Sequence, residues 1–273
     1  GKLAAQGVID LDQPVSHYVP ALAKSGYGPD SLQTVLDMRD GSDYTEYYSD
    51  FTTTFRLQDC AIGWTDADYC PEDGPTGLYE FLPTVGRDKS KLGTFSYRSG
   101  STNVVGWVLE AATKQPLAEL ISEHLWQPMG AEFDANITVD KGGFVLADHG
   151  MSATLRDLGR MGLLVLNDGK AFGNEVIPAA FIQDIKGQQG DPNWSDPAPS
   201  GYKPYYRSFW WGEGNPGGDI SGYGIHGQFV RVVPEAGLVI TMYSTWPRAD
   251  GNGGTHGWSP SLELMDAMIA KFR

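Results

Sequence analysis

Proton chemistry in this sequence starts from one tyrosine. Tyr97 stands in the stretch Gly93 to Thr113, GTFSYRSGSTNVVGWVLEAAT, directly before Arg98-Ser99. A phenol has an ordinary pKa near ~10 and can carry a proton to and from a reacting group if a neighbouring cation favours its phenolate. The alternative is a tyrosine that merely packs its loop against its own helix. Other patterns are weaker. GYGIHG at Gly222 to Gly227 matches the dinucleotide fingerprint letter for letter, but that fingerprint needs a helix to begin there. QFVRVV comes next, with the composition of a strand, so the glycines read as places where a ligand approaches the backbone closely. Ser200-Gly201-Tyr202-Lys203 is an S-x-x-K, which on a helix would put hydroxyl and amine on one face. Pro197, Pro199, Gly201 and Pro204 deny it that helix, and it reads as a decoy. There is no G-x-S-x-G elbow. His17, His124, His149, His226 and His256 show no pair at metal-ligand spacing, and Cys60 and Cys70 lack flanking partners, so no metal and no cofactor is expected. His226 and His256 each precede a glycine and suit a cleft; His124, beside Leu125 and Trp126, reads as a packed helix residue.

The elements that must position these residues are set by periodicity and punctuation. After Tyr97, Ser99, Ser101 or Thr102 is expected to cap a helix whose apolar face is Val104, Val105, Trp107, Val108 and Leu109. Upstream, Gly7 closes a short helix tail, and Asp30 or Ser31 caps a helix through SLQTVLDM. Residues 42–77 show no sustained period and read as a long polar-aromatic covering loop. Further helices are expected over Leu78 to Val85, Pro116 to Met129, Thr154 to Leu166 and Ala179 to Ile185. From Tyr205 the period turns strand-like, with a hairpin at the Pro-Glu-Ala-Gly break between Val233 and Leu238. Ser259 is expected to cap a terminal helix that turns Leu262, Leu264, Met265 and Ile269 inward. The predicted organisation is a mostly helical domain over 1–203, carrying the loop 42–77, followed over 204–273 by antiparallel strands and a C-terminal helix.

At 273 residues the chain can bury a large core. A formal charge of −14 leaves nothing to neutralise phosphates, which argues against nucleic acid as a partner. No apolar run approaches the ~18 residues of a membrane span, and no signal-peptide pattern is present. A Cys60–Cys70 bridge and two free thiols both fit the sequence, so the compartment stays open.

Several stretches together resemble the penicillin-recognising serine hydrolases: class C β-lactamases, D-alanyl-D-alanine carboxypeptidases and their esterase and amidase relatives. Most of all they resemble the aminohexanoate-oligomer hydrolases. The stretches are GKLAAQGVIDLDQPVSHYVP, LDMRDGSDYTEYYSD, FSYRSGSTNVVGWVLE, ITVDKGGFVLADHGMSATLRDLGRMG, WWGEG, SGYGIHGQ and STWP, in order from Gly1 to beyond Trp246. The resemblance implies an α/β (α+β) chain of β-lactamase-like fold, an antiparallel sheet flanked by helices plus a mostly helical domain, with the N-terminal portion absent. Such families use an S-x-x-K serine and lysine, a Y-x-N/S tyrosine and an inner strand usually written K-T-G. Tyr97-Arg98-Ser99 matches the second. The strand around Gly222-Tyr223-Gly224-Ile225 falls where the third belongs, although its Lys-Thr is missing. The first is expected upstream of Gly1.

By resemblance, Tyr97 would be the general base and acid, and the backbone N–H of Ile225 half of an oxyanion hole. Tyr48, Asp59, Asp148, Trp211, Tyr223, Asp250 and His256 would line the substrate pocket, Asp59 or Asp148 meeting a substrate ammonium. Trp210 and Trp211 alternate faces on a strand, so only one of them can line it. The implied reaction is hydrolysis of a small linear amide or carboxyl ester through an acyl-enzyme; the altered K-T-G strand speaks against β-lactams. The alternatives are a non-catalytic binding relative or inert fragment and, among enzymes, a carboxypeptidase or β-lactamase. Expected partners are the small-molecule substrate and either the missing N-terminal segment or a second copy; a sheet lacking that segment's strands would have an open edge.

Overall fold

The apolar positions after Tyr97 fold into the longest helix among the described residues, and a helical unit is built around it. The computed structural model describes residues 1–48, 50, 52–194, 200–249, 251 and 257–272. Its contacts divide the chain into two compact units: a helical unit of Leu3–Glu123 with Ala135–Ser152, and a sheet unit of Gly1–Lys2, His124–Asp134 and Ala153–Arg273. The division therefore differs from a single cut at residue 203, because the helices over 153–203 pack with the strands that come after them.

The helices of the helical unit include α1 (Leu32–Leu36), α2 (Thr54–Ile62), α3 (Leu78–Phe81), α4 (Ser99–Thr113) and α5 (Leu117–Ile121). Helices α1 and α2 pack against α4. Leu22, Leu32, Val35, Leu82, Val104 and Val108 are fully buried around it, each worth about 1.5–3 kcal/mol on leaving water. Ser31 caps α1 by accepting from the Thr34 N–H at 3.2 Å, as expected. The helix ends at Leu36, short of Asp40, because Met38 takes a positive φ of 51°.

Two expectations are corrected in this unit. Residues 42–77 are not one uninterrupted loop, because α2 occupies nine of them between Thr53 and Gly63, whose φ of 84° ends the helix. Its buried positions, Phe55, Gln58, Asp59, Ala61 and Ile62, do have helical spacing, but two of the five are polar, so hydrophobic periodicity could not reveal it. The second concerns the start of α4. Ser99 is its first residue rather than its cap, Arg98 stands at the cap position without a side-chain capping bond, and the capping carboxylate comes from Glu46. At the next position only glycine fits, since a Cβ on Gly100 would lie 2.5 Å from the Tyr27 hydroxyl and 2.7 Å from the Tyr44 ring.

In the sheet unit α6 (Leu155–Leu166) and α7 (Ala179–Lys186) precede five strands: β1 (Tyr205–Arg207), β2 (Trp210–Gly212), β3 (Ile220–Gly224), β4 (Gln228–Val233) and β5 (Leu238–Met242). Helix α8 (Trp258–Ile269) comes after them. The strands lie side by side in chain order, all antiparallel, with Tyr206 opposite Trp211, Gly222 opposite Val230 and Arg231 opposite Ile240. The FVRVV run of β4 is apolar on both faces except for the ion-paired Arg231, because both faces are covered. Val232 joins Val165 of α6 with Ile182 and Ile185 of α7, while Phe229 and Val233 meet Met265 and Ile269 of α8. Helix α6 lies close to the sheet at Gly162, where a Cβ would be 2.4 Å from Val239. Thr154, expected as the first residue of this helix, is instead the cap of α6 and accepts from the Asp157 N–H at 3.1 Å. The expected cap of α8 is corrected: Ser259 lies inside that helix, and Gly257 precedes it with a φ of 155°. Leu264 is exposed rather than inward.

Candidate active site

The Tyr97 backbone is anchored on its C-terminal side. Arg98 and Asp40 are both fully buried, with Arg98 Nη1 3.6 Å from Asp40 Oδ2 and 3.1 Å from the Met38 carbonyl. Ser101 donates to the same Asp40 oxygen at 2.8 Å, and the Ser42 N–H satisfies the other at 3.0 Å. A buried pair of this kind is costly to break, because either partner left alone is an unpaired charge out of water. Ser99 in turn gives its N–H to Glu46 Oε2 at 2.7 Å and its hydroxyl to Glu46 Oε1 at 2.8 Å. Tyr97 therefore sits half-buried on a segment fixed immediately after it, first by an ion pair and then by a carboxylate.

Around it the helical unit assembles a polar cluster that helix patterns do not announce. Tyr48 donates its hydroxyl to Glu46 Oε1 at 2.8 Å. Asp148 Oδ2 accepts from Gln58 at 2.7 Å, and Gln58 Oε1 accepts from the Tyr44 hydroxyl at 3.1 Å. Asn103 on α4 fixes the backbone there by accepting from the Ala147 and Asp148 N–H groups at 2.9 and 3.3 Å. His149 Nδ1 lies 2.8 Å from Asp148 Oδ1, and the His149 ring meets Trp64 edge-on at 4.3 Å. Asp59 pairs with Arg56 on its own helix at 2.9 Å, and Arg56 also donates to the Tyr48 carbonyl.

The electrostatics of the cluster arise from this enclosure. Burial pushes the Glu46 carboxyl up to about 7 against the downward pull of Ser99 and Tyr48. Burial also raises the Tyr97 phenol well above its ordinary value; Glu46 and Asp148 add to that and Ser99 opposes it. Asp59 is raised by burial in spite of Arg56. Burial lowers His149, but Asp148, then Asp59 and Glu46, outweigh it and leave the imidazole raised.

Of the residues picked from sequence, Tyr48, Asp59, Tyr97 and Asp148 thus belong to one cluster in the helical unit. In the sheet unit, Trp211 and Tyr223 are neighbours, ring centroids 5.9 Å apart. Trp210 packs instead on the core under α6 and α7, which bears out the alternation of the two tryptophans. Tyr223 donates to Glu213, which also accepts from Ser221 at 2.6 Å. Ile225 lies past the end of β3, exposed on the turn into β4. The GYGIHG stretch is strand and turn, with no helix after it. His226 on that turn is bound through Nδ1 to the Trp246 carbonyl at 2.7 Å. Ser200 lies in a turn rather than a helix. Asp250 and His256 fall outside the described residues. Cys60 and Cys70 form a disulfide. Among the described residues no group of His, Cys, Asp and Glu could hold a metal ion, and no helix is long and apolar enough to cross a membrane.

Sequence reasoning missed Glu46, Gln58, Arg98, Asn103 and His149. Arg98 carried a usable signal, an arginine between the tyrosine and serine of a Y-x-S motif. A charge at that point must be paired or must lie in solvent.

The comparisons with known proteins agree with this architecture. The family model described as Beta-lactamase matches residues 1–257, and the chain belongs to that family, with its α/β fold of helices and an antiparallel sheet. Among curated proteins it is 38% identical over 256 residues to the 6-aminohexanoate-dimer hydrolase of Paenarthrobacter ureafaciens, an alignment covering 92% of this chain and 63% of that one. The chain thus spans under two thirds of that relative's length. A Bacillus anthracis structure bearing the provisional name 6-aminohexanoate-dimer hydrolase superposes with a TM-score of 0.83 at 26% identity, over 99% of this chain and 67% of that one. A family VIII carboxylesterase shares the fold at a TM-score of 0.66 and 15% identity, over 99% of this chain and 79% of that one.

Proposed function

We propose that the chain is part of a serine hydrolase that cleaves small linear amides or carboxyl esters through an acyl-enzyme, with Tyr97 as the proton carrier. The attacking serine and its lysine are expected upstream of Gly1. As the serine oxygen bonds to the substrate carbonyl carbon, its proton passes to the Tyr97 phenolate, the form that the ammonium of the upstream lysine would favour. That proton then moves to the leaving nitrogen or oxygen as the carbonyl carbon releases it, and water discharges the acyl group by the reverse sequence. The Ile225 N–H is assigned one of the two donors to the tetrahedral oxyanion, a donor of that kind being worth ~3–4 kcal/mol.

The observation that carries this reading is the fixation of the Tyr97 segment by the buried Arg98–Asp40 pair and by Glu46. A tyrosine that only packed its loop would need neither. The kinship with an aminohexanoate-dimer hydrolase supports the substrate class. Of the two carboxylates expected to meet an ammonium, Asp59 already pairs with Arg56, while Asp148 lies against the His149 imidazole.

The test is covalent trapping. Full-length protein quenched during turnover of p-nitrophenyl acetate should carry an acetyl group on an upstream serine, and Tyr97→Phe should acquire it far more slowly. Acetylation at Ser200, or none in a protein that turns the ester over, would overturn the reading.

A further inference from the structure

We infer that Glu46 is the positioning residue of Tyr97: its carboxylate joins the Tyr48 loop to the first turn of α4, which opens two residues after the phenol. The inference rests on the proposed role of Tyr97. Its geometry is a clamp. One oxygen takes the Ser99 N–H at 2.7 Å, the other takes the Ser99 hydroxyl at 2.8 Å and the Tyr48 hydroxyl at 2.8 Å, and the two contacts to Ser99 bridge 53 residues of chain. A carboxylate at the N-terminus of a 15-residue helix is favoured by the helix dipole, and here it replaces the side-chain cap that Arg98 does not supply.

An ordinary cap sits in solvent. Glu46 is enclosed, and its charge is felt on every side: by Tyr27 and Tyr44 beneath Gly100, by Tyr48 on its own loop, by Tyr97 ahead of α4, and by Asp148 and His149 on the loop after 144. The arginines of this region pair with other carboxylates, Arg98 with Asp40 and Arg56 with Asp59. Burial brings its titration to about 7, so the charge beside Tyr97 changes across neutral pH. Ionised, Glu46 grips Ser99 and Tyr48 and holds back the phenolate; protonated, it releases both restraints together.

The sign fixes the experiment. Removing a negative charge near the phenol favours phenolate, so Glu46→Gln, which keeps the shape and an acceptor for the Ser99 N–H, should move the rising limb of kcat/KM against pH about one pH unit lower for p-nitrophenyl acetate. Ser99→Ala removes a donor that lowers the Tyr97 pKa and should move the limb upward. Tyr97→Phe is measured alongside. If it turns over like wild type, the hydrolase role of Tyr97 and this inference fall together. If it is impaired while the Glu46→Gln and Ser99→Ala profiles superpose on wild type, Glu46 is only a helix cap and the inference alone falls. A Glu46→Gln that melts lower but keeps the wild-type profile overturns the inference in the same way. Should Glu46→Gln not fold, Glu46→Asp, which keeps the charge but draws it back by one methylene, decides: a displaced limb supports the clamp, and a profile superposed on wild type overturns it.

Discussion

Each unit of this protein sets a glutamate near a tyrosine, and the two pairs are wired differently. In the sheet unit Tyr223 gives its hydroxyl proton directly to Glu213, and burial followed by that carboxylate raises its pKa well above the ordinary value. In the helical unit Glu46 accepts from Ser99 and Tyr48, and acts on Tyr97 through its charge. A carboxylate that accepts straight from a phenol commits that phenol as a donor. One that is held in place by other donors biases the phenol without taking its proton. The buried arginines repeat the contrast. Arg98 is sealed against Asp40 next to Tyr97, whereas Arg231 of β4 divides itself between buried Asp219 at 2.9 Å and exposed Asp266 of α8 at 3.1 Å. Polar burial fixes the Tyr97 segment in one unit and ties a helix to a sheet in the other.

The contrast can be broken by mutation. Arg98→Ala leaves Asp40 unpaired in the interior and should cost about 3–5 kcal/mol of folding stability in chemical denaturation, with activity lost as the Tyr97 segment loosens. Arg231→Ala should cost less than Arg98→Ala; equal losses would mean that the fully buried pair has no special standing.

Next in size is a pH effect. Because the folded pKa of Glu46 is raised to about 7, its contribution is fully present below the unfolded value near 4.5 and is lost as pH rises through about 7. Wild type should therefore lose up to roughly 3 kcal/mol between pH 4.5 and 8 that Glu46→Gln does not lose, read from urea midpoints at each pH. Parallel pH dependences would show that Glu46 titrates as an exposed acid.

The Cys60–Cys70 disulfide closes a short loop at the end of α2, the helix that carries Gln58 and Asp59. Replacing both cysteines by serine should cost about 2–3 kcal/mol. The smallest effect belongs to Tyr223→Phe, which removes one hydrogen bond and should cost about 1 kcal/mol by thermal melting.

Wherever apolar residues alone mark a buried face, the fold was legible in the sequence. The helix after Tyr97, the Thr154-capped helix and the hairpin around Pro234 come from such patterns. Helix α2 escaped because Gln58 and Asp59 fill positions where a period search looks for leucine. The site was legible where a residue type stood for its chemistry, as with Tyr97. It was illegible where partners meet across the chain, since nothing near Glu46 tells that Ser99 lies against it, and nothing near Arg98 tells of Asp40. Glu46 reads in sequence as one acid among several in SDYTEYYSD. Only tertiary burial separates it from the rest.

The central claim is that Tyr97, and not simply any buried tyrosine beside a glutamate, moves the proton. It is tested most directly by kcat/KM for p-nitrophenyl acetate in Tyr97→Phe and Tyr223→Phe full-length variants, assayed side by side with wild type. The account predicts a 10²–10⁴-fold loss for the first and about tenfold at most for the second. Comparable rates in the two variants would contradict it.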